Sequence, residues 1–375
     1  MARKKTVMES AYKRDVDDRN DIKWAHPELK DWWIAGDADF MDTVLDDTVP
    51  LDERKKLLES RMKETIAMYK RQGLDVWKGL DYKEDGSDYG HLERFYIKGC
   101  PEDPEADCSV SVLIPNEKSD KPKPVIFYIM SGALYTQAPE TNNEILRFAK
   151  KFNCVTVVPD YCTPLEDVYP TQINQIHAGY QWMVEHAEEL NIDPDNVTIF
   201  GESTGAHLGL CTAFRLKRYG YSPRGCIIND PMVDDRNYFE SCKIIKKPCD
   251  ATRAHAMYAS YVGWVNLATN FLGPEAFANH ATVEECKGLC PIFLNVGESD
   301  QDRDATIEFA KKLYEARVPC SLHVWEGASH ATLYYARKTG MARRFWDNVY
   351  GDIQCCMDYD MRRPWAWDES CPSRK

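Results

Sequence analysis

No run in the 375-residue chain approaches the ~20 uninterrupted apolar residues that cross a bilayer, so a membrane-spanning helix is not expected. Basic residues are in deficit. The 47 Lys+Arg face 60 Asp+Glu, a net charge of −13, which argues against nucleic acid as the main partner because phosphate binding needs a surplus of Lys and Arg on one face. There is no internal repeat, no low-complexity tract and no obvious linker. Among 14 cysteines there is no Cys-x-x-Cys pair, and the spacings Cys286/Cys290 and Cys355/Cys356 match no common zinc pattern, so neither a metal nor another cofactor is implied. The first residues are basic but run into further charges where a signal peptide needs an apolar block. A cytoplasmic protein with reduced, structural cysteines is therefore expected; Cys154, Cys226 and Cys320 sit inside apolar runs, where a thiol packs as a small hydrophobe.

What is present is apolar side chain, 43 % of residues with 11 % aromatic, enough for a large core and too much for a disordered chain. Up to about Gly79 the pattern is helical and polar; residues 51–73 carry apolar positions at helical spacing and close on Gly73. Residues 91–99 and 108–115 alternate or run apolar over strand length and predict an antiparallel pair. Strands then alternate with helices. Apolar runs at 123–130, 154–161, 196–201, 225–232, 290–300 and 320–327 are separated by amphipathic stretches at 142–153, 172–191, 203–220 and 304–318, and a closing helix is predicted over 331–350. Buried strands joined by crossover helices predict a mostly parallel central sheet flanked by helices, an α/β fold whose ligands lie beyond the C-terminal strand ends. We expect a helical N-terminal cap over 1–85, a catalytic domain over 86–352 with a lid-forming insertion at 234–286 after the sixth strand, and a tail at 353–375.

The chemistry concentrates at Gly201-Glu202-Ser203-Thr204-Gly205, between a strand and a helix. A turn this tight strains the Ser backbone, and the flanking glycines remove side chains that would collide. The hydroxyl is displayed at the helix start, where the N–H of Thr204 can face an oxyanion. A hydroxyl needs a base, and the base an orienting carboxylate. Asp300 follows the strand ending at Val296, and His330 follows the strand ending at Trp325, both on the Ser203 side of the sheet. Asp302 and Asp304 compete with Asp300, although Asp304 begins a helix, where a carboxylate compensates the dipole. His177, His186 and His207 fall within helices and His323 within a strand.

From about residue 121 to 333 the chain resembles the hormone-sensitive-lipase-like carboxylesterases of the α/β-hydrolase fold. The resemblance rests on DYCTPLEDVYP, NIDPDNVTIFGESTGAHLG, DPMVDDR followed by GWVNLATNFLG, VGESDQDRD, and VPCSLHVWEGASH. It implies Ser203 as nucleophile, Asp300 as acid and His330 as base. The family's His-Gly-Gly-Gly turn is replaced by Met130-Ser131-Gly132-Ala133, so the implied oxyanion donors are the backbone N–H groups of Ser131, Gly132 and Thr204. Met130, Leu134, Tyr135, Glu202 and His207 are candidate pocket residues. Asp230 to Arg236 is expected to form a salt-bridge corner joining sheet and lid, with Arg236 gripping a substrate carboxylate as the alternative.

These features predict a serine hydrolase that cleaves a small-molecule ester, with a short or medium acyl chain or a bulky aromatic group, through an acyl-enzyme. Neither nucleic acid nor membrane is an expected partner, while a homodimer stays open. Two alternatives stay open: a different reaction on the same scaffold, such as amide or lactone hydrolysis or an elimination, and a non-catalytic small-molecule receptor.

Overall fold

The computed structural model describes residues 25–32, 48–57, 60, 89–132, 134, 143–236, 238–245, 261–262 and 272–362. Most of the expected N-terminal cap, residues 263–271 of the GWVNLATNFLG stretch of the insertion, Tyr135 and the end of the tail lie outside them.

Eight strands form one sheet: β1 (Gly90–Cys100), β2 (Asp103–Pro115), β3 (Lys123–Ile129), β4 (Val155–Asp160), β5 (Ile192–Glu202), β6 (Gly225–Asn229), β7 (Ile292–Ser299) and β8 (Cys320–Ser329). Their spatial order is β1-β2-β4-β3-β5-β6-β7-β8. β1 and β2 pair antiparallel, with Leu92 opposite Leu113, and β2 pairs antiparallel with β4. From β4 to β8 every pairing is parallel. The parallel strands are joined by α1 (Asn143–Phe152), α2 (Thr171–Glu185), α3 (Thr204–Arg218) and α6 (Arg303–Glu315), with the short α4 (Glu240–Ile244) and α5 (Val283–Cys286) between β6 and β7. After β8 come α7 (Thr332–Tyr335) and α8 (Gly340–Asp358).

The period of two along a strand sorts its side chains onto two faces. On β3, Val125, Phe127 and Ile129 join the core that includes Ile176, Leu208 and Phe309 from α2, α3 and α6. Ile126 and Tyr128 join the opposite core with Phe148 of α1 and Phe345, Trp346 and Val349 of α8. Full burial of one such side chain is worth about 1.5–3 kcal/mol, so both faces of the sheet are pinned.

Four expected boundaries shift. The helix predicted to Asn191 ends at Glu185, and the chain reaches β5 through a turn in which Asn191 has φ 50° and donates its side-chain N–H to the carbonyl of Ser119. β8 continues through Ser329 after an irregularity at Gly297 on β7, so Glu326 to Ser329 is strand where a loop was expected. The closing helix is two helices, because Thr339 caps a fresh start: its Oγ1 accepts from the N–H of Ala342 at 3.1 Å. α8 also runs past 352 to Asp358, held by buried Ile353, Cys356 and Met357, so the boundary expected there falls inside a helix.

A short N-terminal segment including a 3₁₀ turn (Pro27–Trp32) docks on this end of the molecule. The N–H of His26 donates to the carbonyl of Gly327 at 2.9 Å, and the Glu28 carboxylate accepts from the N–H of Met341 at 2.9 Å, at the start of α8. Among the described residues no helix is long and apolar enough to cross a membrane.

Candidate active site

β5 ends at Glu202 and α3 begins at Thr204, which leaves Ser203 alone in the turn at φ 50° and ψ −122°. That conformation is costly for any residue with a Cβ and must be imposed by its surroundings. The N–H of Ser203 donates to the carbonyl of Asn229 on β6 at 2.8 Å. A Cβ on Gly205 would lie 2.2 Å from the carbonyl oxygen of Ile129, and one on Gly201 would lie 2.4 Å from that of Gly205. The spacing of the glycines is thus a packing requirement: α3 reaches the end of β3 only without those two side chains.

Ser203 Oγ lies 2.8 Å from His330 Nε2, and His330 Nδ1 lies 2.7 Å from Asp300 Oδ2. Asp300 is fully buried, and its Oδ1 accepts from the N–H of Asp302 at 3.0 Å. The neighbouring carboxylates have other partners. Asp304 accepts from Arg303 and from the N–H of Ser241, joining α6 to α4, and Asp302 accepts from the Gln301 side chain at 3.3 Å. Burial alone would lower the His330 pKa, but the charge of Asp300 and its hydrogen bond, with Asp230 and Asp302 behind it, raise it above the ordinary histidine value. The arrangement favours a proton on the imidazole, as a base that must hold one requires.

Two further carboxyls approach this chain. Asp230, placed by sequence in the corner after β6, instead faces the imidazole and Asp300. Burial and the like charge of Asp300 push its pKa up to about 7, against the opposing influence of His330 and of the N–H groups of Ala331 and Gly297. Glu202 is buried beneath the turn, and burial with the charge of Glu144 raises its pKa well above the usual carboxylate range. Its Oε2 has no hydrogen-bond partner among the described residues. Glu202 is thus a buried carboxyl directly before the serine turn.

The turn after β3 is built on polar contacts that sequence reasoning missed. Gly132 takes φ 125°, and Leu134 takes φ 68°. The Tyr161 hydroxyl, just beyond β4, donates to the carbonyl of Met130 at 2.7 Å, and the N–H of Leu134 donates to Thr204 Oγ1 at 3.2 Å. The Thr204 hydroxyl therefore ties this turn to the serine turn. Ser131 and Gly132 are half-buried, and Met130 and Leu134 are buried. His207 is also buried: its Nδ1 lies 2.7 Å from the carbonyl of Met232, its ring packs on Tyr261 and Phe277, and burial lowers its pKa to about 4. It is a neutral core residue, because its place in the first turn of α3 points it at the chain leaving β6.

The remaining charged residues of this corner are tied to one another and to the stretch around residue 280. Arg236 pairs with Asp234, Asn279 donates to Asp234 at 2.7 Å, and His280 Nε2 lies 2.6 Å from Asp235. Asp234, Asp235 and His280 bring ligand-type atoms within 4.8 Å of one another, as do Cys100, Glu102 and His177. In each set a guanidinium already compensates a carboxylate, Arg236 on Asp234 and Arg215 on Glu102.

A family model described as alpha/beta hydrolase fold matches residues 126–334, from within β3 through most of α7. The chain belongs to that family. This hydrolase is 25 % identical to an esterase of Acinetobacter venetianus over 205 residues, 54 % of this chain and 65 % of that protein. It is likewise 25 % identical to the carboxylesterase NlhH of Mycobacterium tuberculosis over 203 residues, 53 % of this chain and 63 % of that one. The chain thus spans a little under two thirds of the length of these curated relatives. Among solved structures, the hydrolase shares its fold with a bacterial heroin esterase at a TM-score of 0.74 and 22 % identity, over 90 % of this chain and 99 % of that one. The resemblance to hormone-sensitive-lipase-like carboxylesterases seen in the motifs holds for the matched region.

Proposed function

We propose that this hydrolase cleaves carboxylic esters of small molecules through an acyl-enzyme formed on Ser203. The observation that carries the reading is the continuous contact from Ser203 Oγ to His330 at 2.8 Å and from His330 to Asp300 at 2.7 Å, with the serine held at φ 50°. Ser203 Oγ adds to the acyl carbon as His330 Nε2 takes its proton, and the carbonyl electron pair moves onto oxygen. Asp300 orients the ring and stabilises the imidazolium. The N–H groups of Ser131, Gly132 and Thr204 are the proposed oxyanion donors, each worth about 2.7–4 kcal/mol in the transition state. His330 then gives its proton to the departing alkoxide. Water adds to the acyl-serine, passing a proton to His330, and collapse frees the acid and restores Ser203.

Nitrophenyl acetate, butyrate and longer esters, with fluorophosphonate labelling, test the reading. Turnover is expected on the shorter esters, with label on Ser203 that Ser203→Ala abolishes. Labelling without turnover of any ester favours a different reaction on this scaffold, and absence of labelling overturns the serine nucleophile. A cytoplasmic location belongs to the same proposal, supported by the cysteines: all twelve within the described residues are free thiols, as a reducing compartment keeps them.

A further inference from the structure

We propose that Asp230 is a positioning residue of this site, whose carboxylate bridges the backbone beside acid and base, holds Asp300 and His330 in register, and sets a second negative charge against the imidazole. The inference rests on the ester-hydrolase reading and adds to it a residue outside the three-residue relay.

β6 ends at Asn229, and Asp230 turns the chain at φ 48°, a value that Asp tolerates better than most residues but still at a cost. The turn is locked by the Asp230 N–H donating to the carbonyl of Asn295 at 2.7 Å. Its side chain then spans two neighbouring strand ends. Oδ1 accepts from the N–H of Gly297 at 3.0 Å, and Oδ2 accepts from the N–H of Ala331 at 2.9 Å. Gly297 leads into Asp300, and Ala331 follows His330 directly, itself held at φ 56°. One half-buried carboxylate just past β6 thus fixes the exits of β7 and β8, which carry the acid and the base. Hydrogen bonds to an ionised acceptor are roughly twice as strong as neutral ones, so the clamp is firmest when Asp230 is charged.

The charge has a second use. Asp230 faces Glu202 from β5, Asp300 from the β7 exit, and His330 from the β8 exit; Asp302 also acts on His330, and Glu144 and Arg337 stand behind Glu202. While the imidazole is neutral, Asp230 and Asp300 repel each other and a proton is readily held at Asp230. When His330 takes the Ser203 proton, the new positive charge favours the ionised form of Asp230. The attraction therefore grows as the transition state forms, which is the condition for an interaction to raise kcat.

Asp230→Asn keeps the size and one acceptor oxygen but removes the charge. On nitrophenyl acetate, kcat is expected to fall at least about tenfold with KM changed by less than about twofold. The acid limb of kcat/KM is expected to move about one pH unit lower, because the imidazolium loses an anionic neighbour. Asp230→Glu should return the limb toward its wild-type position. A limb unmoved in Asp230→Asn overturns the proposal, even if thermal stability drops. Should that variant not fold, the downfield proton signal of the His330 Nδ1–H in the wild-type protein decides: a titration step near pH 7, separate from loss of the imidazole proton, supports the assignment, and a single step overturns it. A wild-type protein that neither turns over esters nor takes the fluorophosphonate sinks the ester reading itself, whereas this signal still reports whether Asp230 and His330 are coupled.

Discussion

The hydroxyl of Ser203 and the imidazole of His330 meet at 2.8 Å although 127 residues separate them in the chain. Each stands just past the C-terminal end of a parallel strand, β5 or β8, with β6 and β7 between them. The sheet places the two backbones, and the strained serine turn and the Asp230 clamp aim the two side chains at each other.

Ser203→Ala and His330→Ala are each expected to lower ester turnover by about 10⁶-fold, as happens when a nucleophile or its base is removed from such a relay. Asp300→Asn should cost about 10⁴-fold, because an amide can hold the ring in the wrong tautomer. Single-turnover kinetics check all three, with circular dichroism confirming an unchanged fold.

The acid limb of kcat/KM should lie above the ordinary histidine value. The base must be neutral in the free enzyme, and Asp300 and Asp230 favour its protonated form, so activity falls away at a higher pH than for an unperturbed imidazole. A limb at or below pH 6.5, the reference value for histidine, contradicts the described electrostatics.

Gly205→Ala tests the serine turn. The added methyl would sit 2.2 Å from the carbonyl oxygen of Ile129, so α3 must retreat from β3 or the turn must open. Overpacking of this kind costs about 1–3 kcal/mol. Turnover should fall more than about 100-fold, because small displacements of reacting groups are that expensive. Thermal unfolding and kinetics measure the two effects separately.

Tyr161→Phe tests the turn after β3. Its hydroxyl is bonded to the carbonyl of Met130, and removing it leaves a buried acceptor with one partner fewer, at a cost of about 1–3 kcal/mol. We expect kcat to drop about tenfold with little change in KM if the turn holds the oxyanion donors. An unchanged kcat would detach Tyr161 from the oxyanion turn.

Glu202 should make the protein less stable as pH rises. Its folded pKa is raised by burial, so the folded state holds a proton that the unfolded chain releases near 4.5. Stability is lost from that pH upward at up to about 1.4 kcal/mol per pH unit until the folded group ionises. Glu202→Gln removes this slope. Melting temperatures of both proteins between pH 5 and 8 should therefore diverge, the variant gaining on the wild type.

The convergence of Ser203, Asp300 and His330 was legible in the sequence because each follows an apolar strand at a point where the fold requires a turn, and local pattern carries that information. Asp230 was visible as a residue but not in its role, since it acts through backbone groups 67 and 101 residues away. Tyr161 escaped notice for the same reason. Its partner is a carbonyl, which leaves no mark on composition or spacing. His207 was misplaced because a motif position does not say which side of α3 is buried, and the closing helix was read as continuous because its break depends on a Thr339 cap that helical periodicity does not reveal.

Glu28 answers the first exposed amides of α8 from more than 300 positions upstream, while His26 grips the far end of β8. Residues 26–28 thus work as a splint across the strand that bears His330. A shortened version beginning after residue 32 would uncover that helix end and slacken this rim at once, so recombinant truncations meant to trim the front of the protein should stop short of Ala25.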